Sequence, residues 1–296
     1  MTRMMTSWMQ RSILALSSGT LLLAHAGTPA ESPRGGSFVE VQGSKLYYEE
    51  CGSGQEIIVL IHDGVVNSAV WDDVWPDFCR NFRTIRYDRR GYGRSPESSV
   101  RYHEVDDLKL LLQHLHVMRA ALVGSSHGSE LSIDFTLAHP ELVQQLVLVG
   151  PVVSGLPYSQ HFLDRGRHAF ELLAQGDTTG AIAEWSQDKY LIAPGNKLAR
   201  KRLFDLLTAN PQDMRHQEHL LSSKPALPRL VDIRVPTLII TGDADIPDVH
   251  AHAGAIESGI PNARRVVVEG VGHLMYLEKP AEFSRLAIEF IRLNAH

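Results

Sequence analysis

Residues 122–129 read Leu-Val-Gly-Ser-Ser-His-Gly-Ser, with two serines side by side. A serine hydroxyl is a weak nucleophile at neutral pH, so acyl transfer through it needs a base to take its proton and an acid to hold that base in one tautomer. Ser126 lies between Gly124 and Gly128 in a G-x-S-x-G spacing. A sharp strand-to-helix turn demands that spacing, because the residues two before and two after the nucleophile are crowded. Ser125 would put Val123 and His127 in those places, so sterics select Ser126. Downstream, Asp245 lies in Thr-Gly-Asp-Ala-Asp and His273 in Glu-Gly-Val-Gly-His. The three side chains together could attack a carbonyl, relay the proton and orient the relay.

For that chemistry the segments must converge, and the hydrophobic pattern shows how. Short β-branched runs at 38–41, 45–49, 57–61, 84–87, 120–123, 146–149, 237–241 and 265–268 alternate with helix-like segments. This predicts an eight-stranded, mostly parallel sheet flanked by helices, the first two strands forming a hairpin across Gln42-Gly43-Ser44. In open α/β sheets ligands collect outside the carboxyl ends of the strands, where Ser126, Asp245 and His273 all fall. Between Gly150 and about Leu230 the alternation stops and the text turns helical, at 168–173, 181–190 and 198–207. The expected organisation is a leader at 1–26, a Gly/Pro/Ser tether at 27–36, a core at 37–152, a helical cap at 153–230 and the rest of the core at 231–296.

Several motifs in order at strand ends give the chain a resemblance to a capped α/β-hydrolase. They are Leu60-Ile61-His62-Asp63-Gly64, Asp88-Arg89-Arg90-Gly91-Tyr92-Gly93-Arg94-Ser95, the Gly124–Gly128 elbow, Gly242-Asp243-Ala244-Asp245, and Gly272-His273 followed by Leu277-Glu278-Lys279-Pro280. The resemblance implies an α/β-hydrolase fold over nearly all of 37–294. It also implies a Ser126–His273–Asp245 triad, with the later aspartate chosen over Asp243 by the G-x-x-D pattern and His273 preferred as base over His62 and His127 by motif order. Two backbone N–H groups would hold the oxyanion, one from His127 and one from the loop after the third strand. The second donor is Gly64, or Val65 if the loop register differs by one residue. Asp63 stands where the family commonly has glycine, and a carboxylate there would oppose an oxyanion, so its side chain is expected to turn away from the pocket.

The implied activity is hydrolysis of a small ester, lactone or related acyl substrate through an acyl-enzyme, with no cofactor and no metal. The aspartate nucleophile of dehalogenases and epoxide hydrolases is ruled out by Ser126. Carbon–carbon bond hydrolysis, perhydrolysis and a non-catalytic ligand-binding role stay open. Cap residues Phe162, Phe170, Trp185, Tyr190 and Phe204 could line an acyl pocket or form ordinary helical core.

Composition narrows the partners. Arg3 and Arg11 precede an apolar run at 13–24 and Ala24-His25-Ala26 fits a cleavage site, so 1–26 reads as a secretory signal and the protein as exported, periplasmic or secreted. The run is shorter than the roughly 18 residues that argue for a membrane span, and losing the two arginines takes the formal charge from −5 to −7. No basic stripe with interleaved aromatics offers a nucleic-acid surface. The two cysteines, Cys51 and Cys79, cannot make a four-ligand zinc site; in an oxidising compartment they could pair. His250 and His252, two apart on a helix, face different directions and form no metal site.

Overall fold

The computed structural model describes residues 35–215 and 217–295. The leader and most of the tether read from the sequence lie outside the described residues. Eight strands form one sheet: β1 (Ser37–Val41), β2 (Ser44–Cys51), β3 (Ile57–Ile61), β4 (Arg83–Tyr87), β5 (Ala120–Ser125), β6 (Val143–Val149), β7 (Thr237–Gly242) and β8 (Ala263–Val268). Their spatial order is β1-β2-β4-β3-β5-β6-β7-β8, with β1/β2 and β2/β4 antiparallel and every other pair parallel. The chain belongs to the α/β class that the alternating pattern predicts.

The sheet is buried on both faces, which is why its central strands read as near-continuous apolar runs. In β3, Ile58 and Leu60 join a core with Trp71, Phe78 and Phe283, while Val59 and Ile61 join an opposite one with Leu108, Phe135 and Ile256. The first face is covered by α1 (Trp75–Asn81) and α10 (Pro280–Leu293), the second by α2 (Glu104–His114), α3 (His127–Ala138) and α8 (Pro247–Gly259). Both α8 and α10 start with proline in the first turn, where the missing N–H is no loss. A four-residue helix, α9 (Met275–Glu278), precedes α10.

Between β6 and β7 the chain leaves the sheet and forms α4 (Gln160–Arg165), α5 (Arg167–Ala174), α6 (Thr178–Ser186) and α7 (Lys197–Ala209). Ile182, Trp185, Leu203 and Leu207 pack into the same apolar cluster as Tyr276 and Leu277 of α9, so this insertion shares the core of the sheet. Asp213, 1% exposed, ties it to the sheet loops by accepting from Asn67 Nδ2 and the Gly93 N–H, both at 2.8 Å.

Crossovers leave β3 in one direction and return to its other side as β5, so the strand order reverses between them. The loops after β3 and β5 part there and open a crevice. At the opposite end of the sheet, Cys51 closes β2 beside Thr84 of β4 and is joined by a disulfide to Cys79 of α1, with 5.3 Å between the Cα atoms.

Candidate active site

β5 delivers Ser126 and α3 begins immediately after it. Ser126 has φ 51° and ψ −116°, a left-handed conformation that a side-chain-bearing residue adopts only under constraint. Its N–H is held by the Val149 carbonyl at 2.9 Å, and its carbonyl accepts from Ser129 and Glu130 as the helix starts. The flanking glycines are required by close approach: a Cβ on Gly124 would collide with the Gly128 carbonyl, and one on Gly128 with the Ile61 carbonyl. Ser126 is half-buried at the turn, whereas Ser125 is fully buried and hydrogen-bonded at 2.9 Å to the Tyr276 hydroxyl. Access as well as spacing therefore separates the two serines.

The loops after β7 and β8 bring Asp245 and His273 together, with Asp245 Oδ1 2.9 Å from His273 Nδ1. That contact places the imidazole proton on Nδ1 and leaves Nε2 with a lone pair. The carboxylate is held by the Ile246 N–H at 2.7 Å. His273 is held by its own N–H on the Tyr190 carbonyl at 2.7 Å, a tie to the helical insertion. Burial and the Arg165 charge press the His273 pKa down, but the Asp245 carboxylate and the more distant Asp63 outweigh them, and the net shift is upward. Gly150, which follows β6, fills the gap beside this pair: a Cβ there would fall 2.7 Å from His273 Nδ1 and 3.3 Å from Asp245 Oδ2. The neighbouring Val149 carbonyl is the one that holds Ser126, so all three residues share one end of the sheet. Among the described residues Ser126 Oγ has no hydrogen-bond partner, His273 Nε2 included. Such contacts often tighten only when substrate binds.

Asp63 is 1% exposed and turned into its own loop. Its Oδ1 accepts from the N–H groups of Val65 (2.8 Å) and Val66 (3.2 Å), and its Oδ2 from the Tyr276 hydroxyl (3.1 Å). Burial raises its pKa against these donors. Because Asp63 occupies the Val65 N–H, the unengaged donors among the described residues at this spot are the N–H of Gly64 and that of His127, the first residue of α3. They are adjacent, since a Cβ on Gly64 would lie 3.7 Å from His127 Cβ. The start of α3 adds its dipole to the same point.

A cavity of about 730 Å³ adjoins Gly64 and His127 and is lined also by Arg89, Glu104, Leu131, Tyr158 and Trp185 among others; Ser126, Asp245 and His273 are not part of that lining. Phe170 also lines it; Phe162 and Tyr190 instead pack against Val152, Ile246 and Val249, and Phe204 is 41% exposed. His252 Nδ1 accepts from the Val153 N–H and His250 Nδ1 contacts Arg265, so the two histidines point apart.

The family model for the alpha/beta hydrolase fold matches residues 56–280. The chain belongs to that family. Among curated relatives, this hydrolase is similar to the 2-hydroxy-6-oxo-6-phenylhexa-2,4-dienoate hydrolase of Comamonas testosteroni, 28% identical over 83% of this chain and 91% of the relative. It is also similar to the 2-hydroxy-6-oxononadienedioate/2-hydroxy-6-oxononatrienedioate hydrolase 2 of Pseudomonas putida, 27% identical over 84% and 92%. The solved structure of Est816, described as an N-acyl homoserine lactone degrading enzyme, matches with 28% identity and a TM-score of 0.65, covering 86% of this chain and 100% of its own. The enol-lactonase of Burkholderia xenovorans LB400 shares the fold at 19% identity and a TM-score of 0.74, covering 86% and 100%.

Arg89 enters the sequence reading only as part of the 88–95 motif, which does not signal its partners. In the structure it is buried and pairs with Glu104, which also contacts the His127 ring. Tyr276, joining Ser125 to Asp63, was likewise missed. No spacing rule links these positions, because their contacts are set by the packing of α2 and α9 on the sheet.

Proposed function

We propose that this chain is a serine hydrolase in which Ser126 attacks an acyl carbon, His273 Nε2 takes and returns the proton, and Asp245 fixes the imidazole. The N–H groups of His127 and Gly64 receive the oxyanion. The observation that carries this reading is the strained, accessible Ser126 set at one sheet end with a hydrogen-bonded Asp245–His273 pair and two unengaged backbone donors. Preorganised donors of this kind contribute about 3 kcal/mol each in the transition state.

For the substrate, the curated relatives favour carbon–carbon bond hydrolysis of a 2-hydroxy-6-oxo-dienoate type compound over the ester or lactone reading. The two differ in the leaving group: a carbon leaving group must be delocalised and protonated as it departs, an alkoxide only protonated. Ester or lactone hydrolysis is the second reading, favoured by the likeness to Est816. Export is also proposed, supported by the leader-like residues 1–26 and the Cys51–Cys79 bridge, since such bridges persist in oxidising compartments.

Labelling with a fluorophosphonate tests the nucleophile. Label is expected on the parent and on Ser125→Ala, and none on Ser126→Ala; an unlabelled parent would mark a ligand-binding protein instead. Parallel assays of a chromogenic 2-hydroxy-6-oxo-dienoate and a p-nitrophenyl ester series then separate the substrate readings, the dienoate being expected to turn over with the higher kcat/KM.

A further inference from the structure

Beside the two backbone donors, and lining the same cavity, lies a buried chain of charges that the proposed reaction does not itself use. Glu104 opens α2, and its side chain is 8% exposed. Its Oε1 is 2.8 Å from Arg89 Nη1, and its Oε2 is 2.9 Å from Nε2 of the His127 ring. Arg89 in turn donates through Nη2 to the Asp63 carbonyl at 2.6 Å. His62 binds the same carbonyl. The Arg89 N–H donates to His62 Nε2 at 3.0 Å, which leaves the imidazole proton on Nδ1, 2.8 Å from Asp63 O.

The Asp63 carbonyl and the Gly64 N–H are the two ends of one peptide unit. That unit is trans, so its C=O and N–H point in opposite directions. Two donors holding the carbonyl, His62 and Arg89, therefore fix the direction of the N–H on the other side of the peptide unit. Drawing electron density onto the oxygen also makes the N–H a stronger donor, as hydrogen bonds polarise one another in series. Meanwhile Glu104 holds the ring of the residue that supplies the other donor.

We propose that Glu104 is a positioning residue for both oxyanion donors, acting on the Gly64 N–H through Arg89 and the Asp63 carbonyl and on the His127 N–H through the His127 ring. The inference rests on the serine-hydrolase reading above. Electrostatics agree with the geometry. Burial alone would raise the Glu104 carboxyl, but Arg89 and His127 hold it at about 2, so the clamp is charged wherever the enzyme is folded and active. Burial and Arg89 press His127 down, whereas Glu104 and Glu130 prevail and raise it. His62, buried beside Arg89, is held well below the ordinary histidine range and stays neutral.

The test uses Glu104→Gln, which keeps the shape and removes the charge, in the full chain. With a p-nitrophenyl ester, kcat is expected to fall about tenfold to a hundredfold with KM within about twofold, since misaiming a donor is a partial form of losing it. Asp63–Gly64 is the sequence's one Asp-Gly pair, so carbonyl-13C aspartate with 15N glycine yields one peptide signal that reports this carbonyl directly. That signal is expected to shift in Glu104→Gln. Should that variant not fold, Arg89→Lys carries the same test, because one ammonium cannot span both Glu104 and the Asp63 carbonyl. A labelled, active parent whose variants keep kcat within about twofold, or lose kcat with the peptide signal unmoved, overturns the clamp alone. A parent that takes no fluorophosphonate label overturns the serine-hydrolase reading beneath it.

Discussion

At the scale of the residue, the unusual group is Asp63, a carboxylate directly beside a proposed oxyanion site. The loop neutralises much of its effect by spending both oxygens on Val65, Val66 and Tyr276. What remains is felt by His273, whose pKa Asp63 helps to raise. As the base must be neutral to take the Ser126 proton, kcat/KM is expected to rise with pH through a midpoint above the ordinary histidine value of 6.5. Asp63→Asn keeps an acceptor for Val65 and Val66 and removes the charge. Its midpoint is expected at lower pH than the parent's, with a plateau rate no lower than the parent's. A pH-rate profile on one ester decides it, and an unmoved midpoint would show that Asp63 carries no charge felt by the base. In the stability sense the sign is the reverse: the raised His273 pKa contributes stability fully present below 6.5 and lost as pH rises through the folded value.

At the scale of the element, polar ties hold the helical insertion to the rest of the fold, and Asp213, buried, carries two of them, from Asn67 and Gly93. Burial lifts its pKa to about 7 against the Gly93 and Asn67 donors, with the Asp88 and Asp63 charges adding to the rise. The folded state thus keeps a proton that the unfolded chain has lost. That contribution is fully present below the ordinary carboxylate value of 3.8 and is lost as pH rises through about 7. Between pH 5 and 8 the parent's Tm is expected to fall more steeply than that of Asp213→Asn, measured by circular dichroism melts; parallel slopes would remove Asp213 as the source. The strands themselves were legible in advance, since runs such as Ile57–Ile61 have no polar residue to disguise them. Only their ends moved, by up to three residues in β6, where Val143 and Gln145 extend the pairing with β5 around a bulge at Gln144. The ties across the insertion were not legible, because Asp213 meets Asn67 across 146 positions and no periodicity encodes a contact between two irregular segments. The elbow was legible because its spacing is local, even though only Gly124 is forced by its own turn and Gly128 is forced by the Ile61 and His62 carbonyls at the end of β3.

At the scale of the whole molecule, two ends of the sheet hold different kinds of order. The carboxyl end carries strain, buried charge and the proposed chemistry, while the other end is closed covalently by Cys51 and Cys79. The bridge spans a sequence separation of 28 and encloses β3, with Cys79 lying in α1, so it restricts the unfolded chain across the segment that delivers Gly64. Chain-entropy reasoning puts its contribution at roughly 3 to 4 kcal/mol for a loop of that length. For a domain of this size that corresponds to about 6–15 °C in Tm. Cys51→Ala with Cys79→Ala is therefore expected to lower Tm by that amount and leave kcat/KM for an ester within about twofold, because the bridge lies at the end of the sheet away from Ser126. Melting the parent with and without a thiol reductant should reproduce the shift in the parent alone. The same cysteines test export: protein alkylated directly in cells should show both thiols protected and a mature chain starting after Ala26, whereas two freely alkylated thiols on a chain retaining residues 1–26 would place it in a reducing compartment and remove the bridge from its working state.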